Sequence, residues 1–377
     1  MTAESLSVAA ILILAWGFDF TNGFHDSANS VSTIVATRVL TPKRAVFWAA
    51  GFNFIAFLVF HTAVANTVGQ TVSREAVSEA VIFAGLAGAI TWNLLTWWFA
   101  LPTSSSHAII GAFAGAGIAK AGGHVIKLAS IEKTVIFIFL SPAVGLLLAF
   151  ILLLLLTWLV RHSSPRRVQG HFRRFQLLSA AAVSLGHGGN DAQKTMGIVS
   201  ALLVGTGYLH GGNSGALPVP LWVVLFAHSA IALGTLSGGW RIVRTLGGRL
   251  TDLKPISGFA AETAAGAALV GSTILGAPVS TTHVVTGAIT GVGTVQRRSA
   301  VRWPVAGRIA SSWILTIPVA GVLGATAYRT TLAFTTFTTG VAASAALAGL
   351  AVLMVLSGRG RPKSVANEPR RPTPTAA

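Results

Sequence analysis

The sequence predicts an all-α polytopic membrane protein: two inverted-topology repeats with broken or re-entrant helices, about eleven crossings in all. Three observations predict it. Of 377 residues, 53% are hydrophobic and only 10% charged, against about 25% charged in an ordinary soluble domain. Apolar stretches long enough to cross a bilayer recur at 44–65, 134–160, 219–239, 305–328 and 331–357. Finally, one pattern occurs twice, as LPTSSSHAIIGAFAGAG at 101–117 and APVSTTHVVTGAITGVG at 277–293. Pro102 then matches Pro278, His107 matches His283 and Gly111 matches Gly287 at one constant offset, which SPAVGLLLA (141–149) and IPVAGVLGA (317–325) share. Interruptions at corresponding places in two hydrophobic halves point to a solute site between repeats.

Taken in order, the N-terminal apolar stretch lacks a basic leader and runs into an acidic motif, so it is expected as a retained first span. Residues 1–160 form the first repeat, 161–174 a basic linker and 175–328 the second repeat. An added last helix covers 329–357, and a Pro/Arg-rich tail, 358–377, is expected to be disordered. Each repeat holds an odd number of crossings, so the second enters from the opposite face.

Net charge is +17, from 27 basic against 10 acidic residues. The basic residues crowd short segments, among them Arg161, Arg166, Arg167, Arg173 and Arg174, and Arg241, Arg244, Arg249 and Lys254. That placement argues against nucleic acid and for the positive-inside rule, with anionic lipid headgroups as neighbours. Segments 38–44, 161–174, 240–255 and 296–302 and the tail are then cytoplasmic, 205–219 lies outside, and the N-terminus is outside. Loop 119–133 fits least well, because three lysines fall on its outer side. The implied setting is the cytoplasmic (inner) membrane of a cell. There is no cysteine, which excludes disulfides and thiolate chemistry. No cofactor and no enzymatic activity are expected.

Thr103, Ser104, Ser105 and Ser106 in the first copy, and Ser280, Thr281 and Thr282 in the second, follow a proline that ends an apolar run. The expectation is two half-membrane helices meeting at each proline, with the hydroxyl run opening the second. Free N–H groups, the helix dipole and hydroxyls together suit an oxyanion. The alternative is that these residues merely cap kinked helices.

A looser pair accompanies them, GFHDSANS at 23–30 and GGNDAQKT at 188–195, with Asp26 opposite Asp191. Both acids are expected in unwound interruptions, where carboxylate and backbone oxygens suit Na⁺, a divalent metal or a proton. Alternatively Asp191 simply pairs with Lys194. His25 is the better titratable neighbour; His107 and His283 are packed residues or proton carriers. Asp19 and Glu262 are unduplicated and rank lower. Gly212–Gly215 beside His210 looks like a serine-protease motif but falls in a loop without a counterpart.

NGFHDSANSVST (22–33), LPTSSSH (101–107), GHGGNDAQK (186–194), GAPVSTTH (276–283) and VRWPVAGRIASSWILTIP (301–318) resemble, in order, the signature segments of the inorganic phosphate transporter (Pit) family. The resemblance implies phosphate uptake coupled to a cation, by a homodimer. It places Gln193 and Lys194 with the hydroxyl runs as candidate substrate contacts. His25, Asp26, Asn29, Asn190 and Asp191 become the candidate coupling set for protons or sodium, with no resident metal. The family's sodium-coupled branch tends to carry Asn where this chain has Lys194, so a tethered ammonium replaces one sodium ion. That favours the bacterial proton-coupled, low-affinity branch, handling phosphate or its neutral complex with a divalent metal. A sodium-coupled phosphate symporter, a sulfate permease of the same superfamily and, from another class, an anion channel are the rivals; an intramembrane hydrolase ranks behind them.

Overall fold

Proline at the first helical turn fixes where several helices begin, since the N–H it lacks has no partner there anyway: Pro42, Pro165 and Pro255 open three of them. In chain order the helices are α1 (Ala3–Ala36), α2 (Pro42–Ile55), α3 (Glu79–Trp98), α4 (Ser105–Ala121), α5 (Leu128–Leu159), α6 (Pro165–Gly205), α7 (Leu221–Ser237), α8 (Trp240–Arg244), α9 (Pro255–Ile274), α10 (Thr281–Gln296) and α11 (Trp303–Ala333). This computed structural model describes residues 3–65, 73, 77–210, 217–296 and 298–333, and no β-strand occurs among them. The expected helix 331–357 beyond Ala333, the tail 358–377 and the Gly212–Gly215 motif lie outside the described residues.

Among the described residues, four helices are long and apolar enough to cross a membrane: 5–36, 79–98, 134–159 and 303–332. A fifth is reached if α7 and the segment through Arg249 count as one span bent by 60°. Gly238, at φ +71°, makes that bend. The protein is therefore a multi-pass membrane protein, although the count of about eleven crossings would need the shorter and more polar helices as well. α5 and α11 turn apolar side chains outward (Phe139, Leu155, Ile314 and Val322 among them), as a lipid-facing surface requires.

Several expectations need correction. The apolar stretch 44–65 is not one span: α2 stops at Ile55, passes through a 3₁₀ turn at Ala56–Leu58 and breaks. The break lets the Phe60 ring seat against Gly189 of α6 and lets the Val64 N–H donate to Gln193 Oε1 at 2.8 Å. Nor is the first arm of the hydroxyl motif a half-membrane helix, because α3 is 20 residues long, about 30 Å at the usual rise. Segment 161–174 is helical from Pro165 onward, as the start of α6. Most important, the helices are not interrupted at the acidic motifs. α1 runs unbroken through Asp26 and the 41-residue α6 runs unbroken through Asp191. Their glycines serve close packing rather than unwinding: Gly23 abuts the Ile231 backbone of α7 and Gly188 the Asn53 backbone of α2. Their polar side chains bond sideways to neighbouring helices, which leaves the backbone ladder intact.

The duplicated segments exchange partners. α4 of the first half packs on α11 of the second, and α10 of the second packs on α5 of the first. Gly111 and Gly115 lie against the backbone of Ile317 and Gly321; Gly287 and Gly291 lie against that of Pro142 and Leu146. A Cβ at any of the four would collide with main chain, the small-residue contact by which membrane helices approach closely.

Candidate functional site

The hydroxyl runs do start helices. Ser104 Oγ accepts from the His107 N–H at 3.1 Å, and Ser280 Oγ accepts from the His283 N–H at 3.3 Å, so both are N-caps. The two helix starts meet: the rings of His107 and His283 pack edge-on with centroids 4.8 Å apart, and His283 stacks on Trp313 at 4.1 Å. The two histidine rings therefore sit together at the helix starts, buried with Trp313. Trp313 Nε1 also donates to the Pro102 carbonyl at 3.1 Å, holding the first loop in place.

Against these two starts lie α1 and α6. On α1, His25 Nδ1 and Asp26 Oδ1 are 2.6 Å apart, and His25 Nε2 reaches Thr96 Oγ1 at 3.0 Å and Thr103 Oγ1 at 3.5 Å. Asn29 Nδ2 donates to Thr282 Oγ1 at 2.9 Å, while Thr282 reaches Asp26 Oδ1 at 3.4 Å. On α6, one face carries His187, Asp191 and Lys194, as spacings of four and three residues dictate. Lys194 Nζ donates to Ser106 Oγ, to Asp191 Oδ1 and, at 3.0 Å, to the Val279 carbonyl. His187 Nε2 is 3.3 Å from Asp191 Oδ2. One donor atom from each of Asp26, His187 and Asp191 lies within 4.8 Å of the others. Asp191 is 0% exposed and Lys194 1%; such a pair persists in a low-dielectric interior only with its remaining donors and acceptors satisfied.

Within the two hydroxyl runs, two hydroxyls are left over. Ser105 Oγ and Thr281 Oγ1 occupy equivalent places in the two copies, are buried, and have no hydrogen-bond partner. Buried hydroxyls are ordinarily satisfied; those of Ser30, Ser32, Ser200 and Thr286 also lack a partner, and Ser105 and Thr281 are set apart by their matched places at the two helix starts.

Not every candidate joins this centre. Asn190 Nδ2 donates instead to Thr273 Oγ1 and the Ala277 carbonyl, both at 3.1 Å, tying α6 to the end of α9 and the loop before α10. Gln193 faces the 57–64 segment, donating to the Gly189 carbonyl at 2.6 Å, and has no hydrogen bond to either hydroxyl run. Three residues that the motifs alone undervalue prove buried: His187; Asp19, which accepts from Thr195 Oγ1 at 2.5 Å; and Glu262, 2% exposed. His187 was recognisable from its position one turn before Asp191, had α6 been read as continuous.

A sealed polar centre with paired acids and helix starts, enclosed by apolar helices, defines a membrane transport protein rather than an enzyme. The chain belongs to the phosphate transporter family, whose pattern matches residues 22–170 and 159–324. It is 52% identical over 322 residues to a protein of Rhizobium meliloti (strain 1021) named probable low-affinity inorganic phosphate transporter, covering 85% of this chain and 95% of that one. A Bacillus subtilis (strain 168) protein of the same name is 41% identical over 321 residues, covering 84% and 95%. Among solved structures, one titled the sodium-dependent phosphate transporter shares the fold, with a TM-score of 0.78 at 23% identity, over 87% of this chain and 100% of that one.

Proposed function

We propose that this protein imports inorganic phosphate across the cytoplasmic membrane by symport with protons, at a low-affinity site between two inverted repeats, 1–160 and 175–328. The observation that carries this is the matched pair of unpartnered buried hydroxyls, Ser105 and Thr281, at two capped helix starts brought face to face. An oxyanion there receives both hydroxyls and the first N–H groups of α4 and α10, with Lys194 supplying the nearby positive charge. Thr103, Ser104, Ser106, Ser280 and Thr282 shape the cradle. Gln193 keeps a supporting role through the 57–64 segment.

Electrostatics requires coupling. One charge crossing 100 mV involves about 2.3 kcal/mol, so a divalent anion entering a negative-inside cell opposes about twice that. The hydrogen-bonded pair His25–Asp26 is the natural proton carrier, beside Asn29 on the same helix. Lys194 on Asp191 stands where a second cation would otherwise bind, while Asn190 fixes the loop before α10. Alternating access then follows from the packed pairs α4–α11 and α10–α5 rocking about α1 and α6. Because phosphate, unlike sulfate, carries a proton near neutral pH, carboxylates at the site favour phosphate.

The grouping of Asp26, His187 and Asp191 donors within 4.8 Å favours a second reading of the cargo, a neutral complex of phosphate with a divalent cation whose metal these residues greet in passing. The homodimer, the outside N-terminus and the cytoplasmic C-terminus complete the proposal. The test is labelled phosphate uptake into proteoliposomes under separate proton and sodium gradients, with sulfate as competitor and Asp26→Asn as control. Proton-driven accumulation, lost in the variant and insensitive to sulfate, supports the proposal. Strict sodium dependence, sulfate inhibition or flux that stops at equilibrium each replaces it, by the sodium symporter, the permease or the channel.

A further inference from the structure

Outside the phosphate centre lies a second polar cluster that the transport scheme leaves unused. Glu262, in the middle of α9, is enclosed between α1 and α6. Thr33 Oγ1 and Gln176 Nε2 (3.0 Å) meet its Oε1, and Ser179 Oγ lies 2.6 Å from its Oε2. Thr37 Oγ1 holds the Gln176 carbonyl end at 2.9 Å. Gly258, one turn before Glu262, leaves the room that the Gln176 amide occupies; a Cβ there would collide with it. This is a built site rather than a stray acid.

The groups facing Glu262 are Thr33 from α1 and Gln176 and Ser179 from α6, all neutral. Among the described residues, no arginine, lysine or histidine of α1, α5, α6 or α10, the helices packed on α9, lies within 4 Å of its carboxylate. The nearest acid on α1 is Asp26, seven residues before Thr33, about 10 Å along the helix. A carboxylate sealed in this way has no cation to offset the cost of ionisation.

Proton counting points the same way. Ser179 has one hydroxyl proton and two neighbours that accept, Glu262 Oε2 at 2.6 Å and the main-chain carbonyl of Gln176 at 3.2 Å. With Glu262 ionised, one of those contacts lacks a proton. With a proton on Oε2, Glu262 donates to Ser179 and Ser179 donates to the carbonyl, so both are filled.

We propose that Glu262 is a proton-binding site separate from the phosphate centre, protonated in this arrangement and emptied once per transport cycle. It sits on the side where Arg173 donates to the Arg38 carbonyl at 2.9 Å and Lys254 opens α9. The released proton leaves to water among those basic segments, and Oε2 is reprotonated from the side of Asp26. This rests on the proton-coupled reading above.

The test uses the full chain in proteoliposomes and two assays: exchange of labelled phosphate at equilibrium, which needs no net proton movement, and accumulation driven by a proton gradient. Glu262→Gln keeps a neutral group of the same size. The expected result is preserved exchange with loss of accumulation, while Glu262→Asp, still titratable, accumulates. A Glu262→Gln protein that accumulates like wild type, or one that is folded and loses both activities together, overturns the proposal. If Glu262→Gln does not yield folded protein, Ser179→Ala decides: the pH profile of accumulation shifts if Glu262 titrates in the cycle, and an unmoved profile overturns the proposal. Wild-type protein that neither exchanges nor accumulates phosphate removes the transport reading itself, a failure visible before any variant is made.

Discussion

Asn29 and Lys194 hold equivalent positions three residues after the paired acids, and each donates to the equivalent hydroxyl of the opposite half: Asn29 to Thr282, Lys194 to Ser106. The geometry of the two half-sites is thus shared while their charge is not. Lys194 also engages Asp191 directly, whereas Asp26 is met by His25. One acid is paired with a lysine of its own helix; the other is hydrogen-bonded to a histidine of its own helix.

Removing the ammonium tests the first half of that statement. Lys194→Met leaves a buried carboxylate with only His187 and a second acid, Asp26, as charged or titratable groups within 4.8 Å, and the expected destabilisation is about 3–5 kcal/mol, read as a lowered melting temperature in detergent. Adding Asp191→Asn in the same chain should restore most of the lost stability without restoring uptake. If the double variant is no more stable than the single, the pair is not the unit described here.

Neighbouring serines should separate affinity from stability. Ser104→Ala removes an N-cap and is expected to cost about 1 kcal/mol of stability. Ser105→Ala removes a hydroxyl without a partner, so stability should hold or rise, while the KM for phosphate rises about ten-fold, equivalent to roughly 1.4 kcal/mol from one lost hydrogen bond. Thr281→Val should behave like Ser105→Ala. Uptake kinetics beside melting curves for the three variants distinguish a binding role from a capping one.

The exchanged helix contacts predict paired lesions. Gly115→Val and Gly291→Val each push a side chain into main chain of the partner helix; each is expected to cost about 1–3 kcal/mol or more and to cut the yield of monodisperse protein on gel filtration. A tolerated substitution at one position and a lethal one at the other would contradict the equivalence of the two contacts.

His187 separates the two readings of the cargo. It touches Asp191 but neither hydroxyl run, so His187→Ala should lower uptake stimulated by Mn²⁺ more than uptake measured with chelator, if a metal–phosphate complex travels. Equal loss in both conditions assigns His187 to holding Asp191 alone.

Repetition made the hydroxyl starts legible. A proline followed by Ser/Thr and a small-residue helix is an N-cap pattern by local chemistry, and a second copy turned a common signal into a specific one. The same habit misled elsewhere. The glycines, asparagines and serines around Asp26 and Asp191 look like a break, but the partners of Asn29 and Asn190 (Thr282 and Thr273) come from distant segments that no local window contains. Searching for duplicated residues also hid those without a twin. The position matching His187 is Asn22, and the one matching Glu262 is Leu86. Titratable groups without a counterpart in the other half are those that an argument from symmetry passes over.

The crossed pairing of α4 with α11 and α10 with α5 gives the halves an unusual standing. Cut at 161–174, each fragment would hold a hydroxyl helix whose glycine seam has lost its match, and an outer helix with nothing to seat in its groove. Each fragment alone is expected to fail to fold, and the two coexpressed are expected to reassemble, because their contacts are made across the halves. Each half's hydroxyl helix is thus seated by an outer helix that the other half encodes.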